Sequence, residues 1–197
     1  MSGLVGFKYD VRRLQWLTNQ HGARIVERAL NRAVEGTTRK AATQISREIR
    51  DTYAVSAGDI RRTLRIQRVR RDATRALLYT GRRLPLEKFS PSTRQIKVTA
   101  TRKGKSFVTR RRAVSVRIRK DKGRTVVPNA WYAKGRVLQR SDLADPMSQP
   151  HMQFGPSIPG MVAHQSVIDS VQEFVREDLP AEFSRRLDYL LQREAGT

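Results

Sequence analysis

The sequence predicts an α+β fold: a long N-terminal helix, a central antiparallel β-sheet with basic hairpins, and C-terminal helices. Three observations predict it. Apolar residues recur at helical spacing between Ala23 and Tyr53, alternate at period two through an arginine-rich middle, and return to helical spacing after Gly160. A chain of 197 residues reads as one domain. Within it, residues 22–54 form the long helix, 60–140 the basic β region, 141–160 a Pro/Gly-rich connection and 161–194 the C-terminal helices.

In the first segment the apolar face runs through Val26, Leu30, Val34, Ala41, Ile45, Ile49 and Tyr53, in steps of four and seven. About 32 helical residues would span roughly 48 Å. Much of the stripe is alanine, which lets another element approach closely. Glu35 and Arg39 stand at i,i+4 spacing on an exposed face, and Gly36 costs about 1 kcal/mol relative to alanine. Ser56 with Asp59 resembles a capping box and starts a short helical turn.

The middle segment reads as β. Leu64 to Ile66 and Arg75 to Tyr79 are predicted strands joined through Arg70-Arg71-Asp72. Ile96, Val98 and Ala100 alternate with polar residues, as do Val114, Val116 and Ile118. That period sets aliphatics on one face and basic residues on the other, with Arg117 and Arg119 as a short basic ladder. Arg102-Lys103-Gly104-Lys105 and Asp121-Lys122-Gly123 are turns. Pro146, Pro150, Pro156 and Pro159 make 141–160 an irregular connection. Beyond it Val167, Ile168, Val171, Phe174 and Val175 share a helical face. Pro180 is placed in the first turn of a new helix, which carries Phe183, Leu187, Leu190 and Leu191.

Charge is concentrated. Residues 60–124 hold 23 Lys and Arg against Asp72, Glu87 and Asp121, a balance of +20 within a total of +22. Residues 141–197 carry −5. A field of that size points to a polyanion, either nucleic acid or a strongly acidic protein assembly. Arginine dominates the cassette, and its planar fork suits phosphate and carboxylate. Tyr79, Phe89 and Phe107 are its only aromatic residues. Backbone contact without sequence preference is therefore favoured over base stacking. The polyanion-contacting candidates are Arg65, Arg68, Arg70, Arg71, Lys97, Arg102, Lys103, Lys105, Arg110, Arg111, Arg112, Arg117, Arg119, Lys120, Lys122 and Arg124.

Catalytic patterns are missing from the sequence. His21, His151 and His164 lack metal-site spacing, and Asp72, Glu87 and Asp121 lie in different predicted turns, so no magnesium nuclease, metal or cofactor is expected. No nucleophile elbow or phosphate-cradling glycine loop occurs. With no cysteine, disulfides and thiolate chemistry are excluded, in keeping with a reducing cytosol. Met1 to Leu17 lacks the apolar core of a signal peptide, and no apolar run approaches the roughly 20 residues of a membrane span. A soluble intracellular product with no membrane partner is expected.

An ordered set of motifs resembles the minor tail protein Z family of tailed phages, the lambda-type tail completion proteins. It comprises Ala29-Leu30-Asn31-Arg32-Ala33, the arginine-dense middle, Val127-Pro128-Asn129-Ala130-Trp131, Gly135-Arg136-Val137-Leu138-Gln139-Arg140, and Arg176-Glu177-Asp178-Leu179-Pro180-Ala181-Glu182-Phe183. Asn129 and Trp131 stand where the family pattern has glycine and phenylalanine. Residues 130–138 read independently as a hairpin about Lys134-Gly135, with Trp131 and Tyr132 as anchor or interface residues.

The resemblance implies a non-enzymatic virion protein at the neck, made in the host cytoplasm, that completes the head-proximal end of the tail. Head–tail joining and DNA ejection would depend on it. Implied partners are further copies in a six-fold ring, the tail terminator, tail tube and tape-measure proteins, head–tail connector proteins, and double-stranded DNA in the lumen. Two other readings use the same charge: a sequence-independent nucleic-acid-binding protein of ribosomal or nucleoid type, and a tail assembly chaperone.

Overall fold

Helix α1 covers Ala23–Thr52 and buries a seam of Val26, Ala29, Ala33, Thr37, Ala41, Ile45 and Ile49. The computed structural model describes residues 22–68, 75–102, 105–142 and 147–195, together with 16, 18, 19 and 145. Side chains of 96, 98–102, 107, 109–111 and 195 lie outside that description. The order continues with α2 (Ala57–Thr63), β1 (Leu64–Arg68), β2 (Arg75–Tyr79), β3 (Arg83–Pro85), a 3-10 turn (Leu86–Lys88), β4 (Ser92–Arg102) and β5 (Lys105–Val116). Then follow β6 (Thr125–Val127), β7 (Ala130–Ala133), β8 (Arg136–Arg140), β9 (Pro150–Met152), β10 (Phe154–Ser157), α3 (Ile158–Val162) and α4 (Gln165–Ala195). The architecture is α+β, with every strand pairing antiparallel.

Contacts divide the chain into two units. The first contains 1–49, 60–81 and 159–197. Its frame is the antiparallel pair of α1 and α4: Val26 and Ala29 meet Leu187 and Leu190, whereas Glu48, near the other end of α1, accepts from the Ser170 hydroxyl at 2.8 Å. Small residues at Ala29, Ala33 and Gly36 allow close approach. At Gly36 an added Cβ would sit 3.3 Å from Glu182 Oε1. Polar contacts pin the middle of the seam, where the Thr37 hydroxyl donates to Asp178 at 2.7 Å and Lys40 pairs with Asp178 at 2.7 Å and Glu182 at 3.1 Å. The β1–β2 hairpin pairs Leu64 with Tyr79 and Arg68 with Arg75.

Helix α4 corrects the expected break at Pro180, because it runs without interruption through that residue. Proline removes one donor and frees the carbonyl four residues earlier. Both Arg176 and Pro180 are exposed, so water can satisfy that carbonyl. Leu179 and Glu182, on either side, are buried.

The second unit contains 50–59 and 82–158. Its strands form the sheets β4-β5-β6, β7-β8-β9 and β3-β10, where one central sheet is expected from the sequence. Phe89 is its fully buried centre, with Leu86, Val114, Val116, Ala130, Val137 and Ile158 also buried. The β7–β8 hairpin turns at Lys134 (φ 50°) and Gly135 (φ 74°), two left-handed residues whose twist matches paired strands. The connection 141–160 is more regular than expected: β9 extends the β7–β8 sheet and β10 pairs with β3. Its prolines fit because Pro150 opens an edge strand and Pro156 lies in another. Ser56 caps α2 as expected, its oxygen accepting from the Asp59 amide at 3.1 Å, while its hydroxyl donates to the Asp59 carboxylate at 2.6 Å.

Packing around Phe89 supplies a direct test. A Cβ at position 155 would lie 2.6 Å from Phe89 Cε2, and the ring has nowhere exposed to swing. Gly155→Ala is expected to lower stability by about 1–3 kcal/mol. Urea unfolding checks it, and an unchanged midpoint would show that the ring yields freely.

Candidate polyanion interface

The longest ladder in the second unit is β4–β5, in register from Ser92↔Ser115 to Arg102↔Lys105. Strand β6 pairs only with Val114, Ser115 and Val116. Beyond that base the two strands continue as a ribbon whose register runs about 27 Å, at ~3.4 Å per residue, from Arg94 to Arg102. Along it Thr93, Arg94, Gln95, Lys97, Lys105, Ser106, Val108 and Arg112 are all exposed, at both parities of the pleat. This is a two-stranded arm whose described side chains are all exposed, most of them on the face shared by Gln95, Lys97, Ser106, Val108 and Arg112.

Its composition is one-signed. Residues 94–112 include Arg94, Lys97, Arg102, Lys103, Lys105, Arg110, Arg111 and Arg112, and no Asp or Glu. Register sets Lys97 directly opposite Arg110. Like charges opposed across a ladder are destabilising by a few tenths of a kcal/mol to about 1 kcal/mol. A bound polyanion converts that repulsion into attraction. A ribbon of two strands also fits the major groove of B-DNA, about 12 Å wide, and threonine and serine hydroxyls add donors for phosphate.

The arm brings together Lys97, Arg102, Lys105, Arg110, Arg111 and Arg112 of the expected contact set, and adds Arg94, which the sequence reading passed over. Lys103 lies outside the described residues, as do Arg70 and Arg71. Arg65 and Arg68 are exposed on β1 in the first unit.

The remaining candidates follow β5 in a loop, which corrects the expected ladder of Arg117 and Arg119. The strand ends at Val116, and Ala113, Val114, Ser115 and Val116 are all buried, so its base has no solvent face for a cation. The Arg117 amide donates to the Phe89 carbonyl, and its guanidinium donates to the Lys120 carbonyl at 2.5 Å. Arg119 bridges back to Tyr53, grips Asp121 through two bonds of 2.9 and 2.8 Å, and lies 5.8 Å from the Tyr53 ring centre. The bond to Asp121 raises the Arg119 pKa and lowers that of Asp121. Arg124 donates to the carbonyls of Ser90 and Ser115. Arg119 and Arg124 are thus engaged within the fold, while Lys120 and Lys122 are exposed.

Trp131 is half-buried under the Arg140 guanidinium, 5.5 Å from the ring centre, and Tyr132 is exposed. The buried anchors of that hairpin are Ala130 and Val137. Among the described residues no three His, Asp or Glu side chains are grouped to hold a metal ion, and no helix is long and apolar enough to cross a membrane. Comparison with protein-family models, curated proteins and solved structures returns no match.

The arm's isolation predicts its dynamics. Among the described residues the ladder beyond Thr93 pairs β4 with β5 alone, so in free protein its amides are expected to exchange at least about tenfold faster than those of β7–β8. Polyanion binding should slow them. Equal protection of 94–112 with and without a DNA duplex would contradict this assignment.

Proposed function

We propose that the protein is a non-enzymatic structural component of a tailed-phage virion, completing the head-proximal end of the tail and presenting the β4–β5 arm to DNA in the channel. The observation that carries the polyanion role is the arm: eight cations and no carboxylate over residues 94–112, with every described side chain between Arg94 and Arg112 exposed. The ordered motifs between Ala29 and Phe183 support the tail context. A closed ring of copies would place several arms around one duplex, and cyclic symmetry is the usual solution for such assemblies. The tail terminator, tail tube, tape-measure and connector proteins are the neighbours this position supplies.

The test is made in the particle. A phage carrying Arg110→Ala, Arg111→Ala and Arg112→Ala is expected to build tails and join them to heads, because buried seams elsewhere carry the packing, yet to deliver DNA poorly. If tails fail to join heads while the purified variant binds DNA as before, the arm grips acidic protein and the channel role falls. Flanking genes unrelated to tail tube, terminator or tape-measure proteins would remove the tail context itself.

A further inference from the structure

We infer that the first unit carries an arginine cleft that receives the acidic outer face of α4 from a second copy of this chain. The cleft has a volume of about 680 Å³ and is lined by α1, the inner ends of β1 and β2, and the end of α4. Arg28 and Arg32 stand one helical turn apart on α1, about 6 Å along its axis. Arg68 and Arg75 face each other as register partners where the β1–β2 ladder ends. Among the described residues no carboxylate pairs with any of these four.

Two features say that the cleft is incomplete as it stands. Arg68 and Arg75 are like charges placed directly opposite, an arrangement that costs stability unless an anion lies between them. The Arg75 Nη1 atom is buried and has no hydrogen-bond partner among the described residues. A buried guanidinium nitrogen without an acceptor carries the full desolvation cost of a charged donor. An oxyanion entering the cleft removes both penalties.

The choice of oxyanion follows from charge and spacing. The lining mixes its arginines with Glu35, which is paired with Arg39 at 2.7 Å, and Glu194, so it suits a few separated charges better than a phosphodiester backbone, which brings a charge every ~3.4 Å along each strand. A short row of separated carboxylates brings fewer negative charges against that lining. The chain owns such a row, since Asp169, Glu173 and Glu177 are exposed at four-residue spacing on α4, within the segment of net charge −5. Glu173 and Glu177 are one helical turn apart, the same ~6 Å as Arg28 and Arg32. Arginine binds carboxylate through two parallel N–H donors, so matched spacing gives register as well as attraction. Cleft and stripe are different surfaces, so the contact is head-to-tail and closes into a ring when its rotation allows.

Sedimentation of the full chain tests this, independently of the arm. At about 50 mM salt the protein is expected to associate, and at about 500 mM to dissociate as screening shortens the electrostatic range. Glu173→Lys with Glu177→Lys, and separately Arg28→Glu with Arg32→Glu, should each weaken association by at least about tenfold. Mixing the two variants should restore it, because each then offers the charge the other lacks. Arg110→Ala, Arg111→Ala and Arg112→Ala should leave association unchanged, so failure here is separable from failure of the arm. Melting temperatures confirm folding, and Arg28→Gln with Arg32→Gln replaces the reversal if it unfolds. A monomer at both salts, association indifferent to these charges, or no recovery on mixing overturns the inference. So does intact association of the Arg28 and Arg32 variant with lost affinity for a DNA duplex, which would assign the cleft to phosphate.

Discussion

Binding of a short DNA duplex to the purified protein is expected to weaken more than about a hundredfold between roughly 50 and 200 mM salt, whatever the duplex sequence. The arm offers eight cations without a compensating acid over 94–112. If about six phosphates are neutralised, counterion release gives a log–log slope near −5. Replacing Arg110, Arg111 and Arg112 with alanine should flatten the slope by up to about three units and alter no sequence preference. Arg119→Ala should change it little, because that guanidinium is already held by Asp121. Titration by fluorescence anisotropy at four salt concentrations decides the matter. A slope unaffected by the triple variant would move the contact away from the arm.

The second large effect is expected at Glu182, whose side chain is 2% exposed at the centre of the α1–α4 seam. Arg185, Lys40 at 3.1 Å and Arg186 at 2.9 Å all donate to its carboxylate. The bond from Arg185 contributes most, and together these donors outweigh burial and hold the pKa down to about 2. A carboxyl depressed in the folded state stabilises it above the unfolded pKa near 4.5, and that contribution disappears as pH falls through about 2. The contribution at neutral pH is on the order of 3 kcal/mol, reduced by solvent screening of the exposed cationic heads. Glu182→Gln should therefore lower the melting midpoint by about 5–10 °C at pH 7. Near pH 2 wild type and variant should converge. A gap that persists unchanged at pH 2 would show that the loss comes from shape, with no part played by charge.

Sequence legibility followed side-chain size. The stripe from Val26 to Ile49 placed α1 correctly, but its large members Leu30 and Val34 are only half-buried. The true seam is Ala29, Ala33 and Thr37, small residues that a search for aliphatics passes over and that close helix packing selects. The β4–β5 hairpin was legible in part: Arg102 to Lys105 marked its end, yet the strands run further than the alternating aliphatics because paired polar residues continue the ladder. Alternation misled at Ala113 to Val116, where both faces are covered and Ser115 is as hidden as its neighbours. The arginine cleft was illegible, since it combines Arg28 and Arg32 with Arg68, Arg75 and Arg193 from distant segments, and each alone reads as a solvated cation.

The pairing of Arg83 with Ser157 bears on the order in which the molecule can be made. Thr37 and Asp178, bonded across the helical seam, are 141 residues apart in the chain. Closing so long a loop through an unstructured segment carries the logarithmic entropy penalty of its length. Every residue of the second unit is synthesised before α4 begins, so its strands can set first. Once β3 and β10 zip together, the intervening chain no longer counts as slack, and α4 emerges with a much shorter search back to α1. Until then α1 waits with its alanine seam open to solvent. Damage within the insert would thus be felt first as slow maturation of a helix pair that it need not touch.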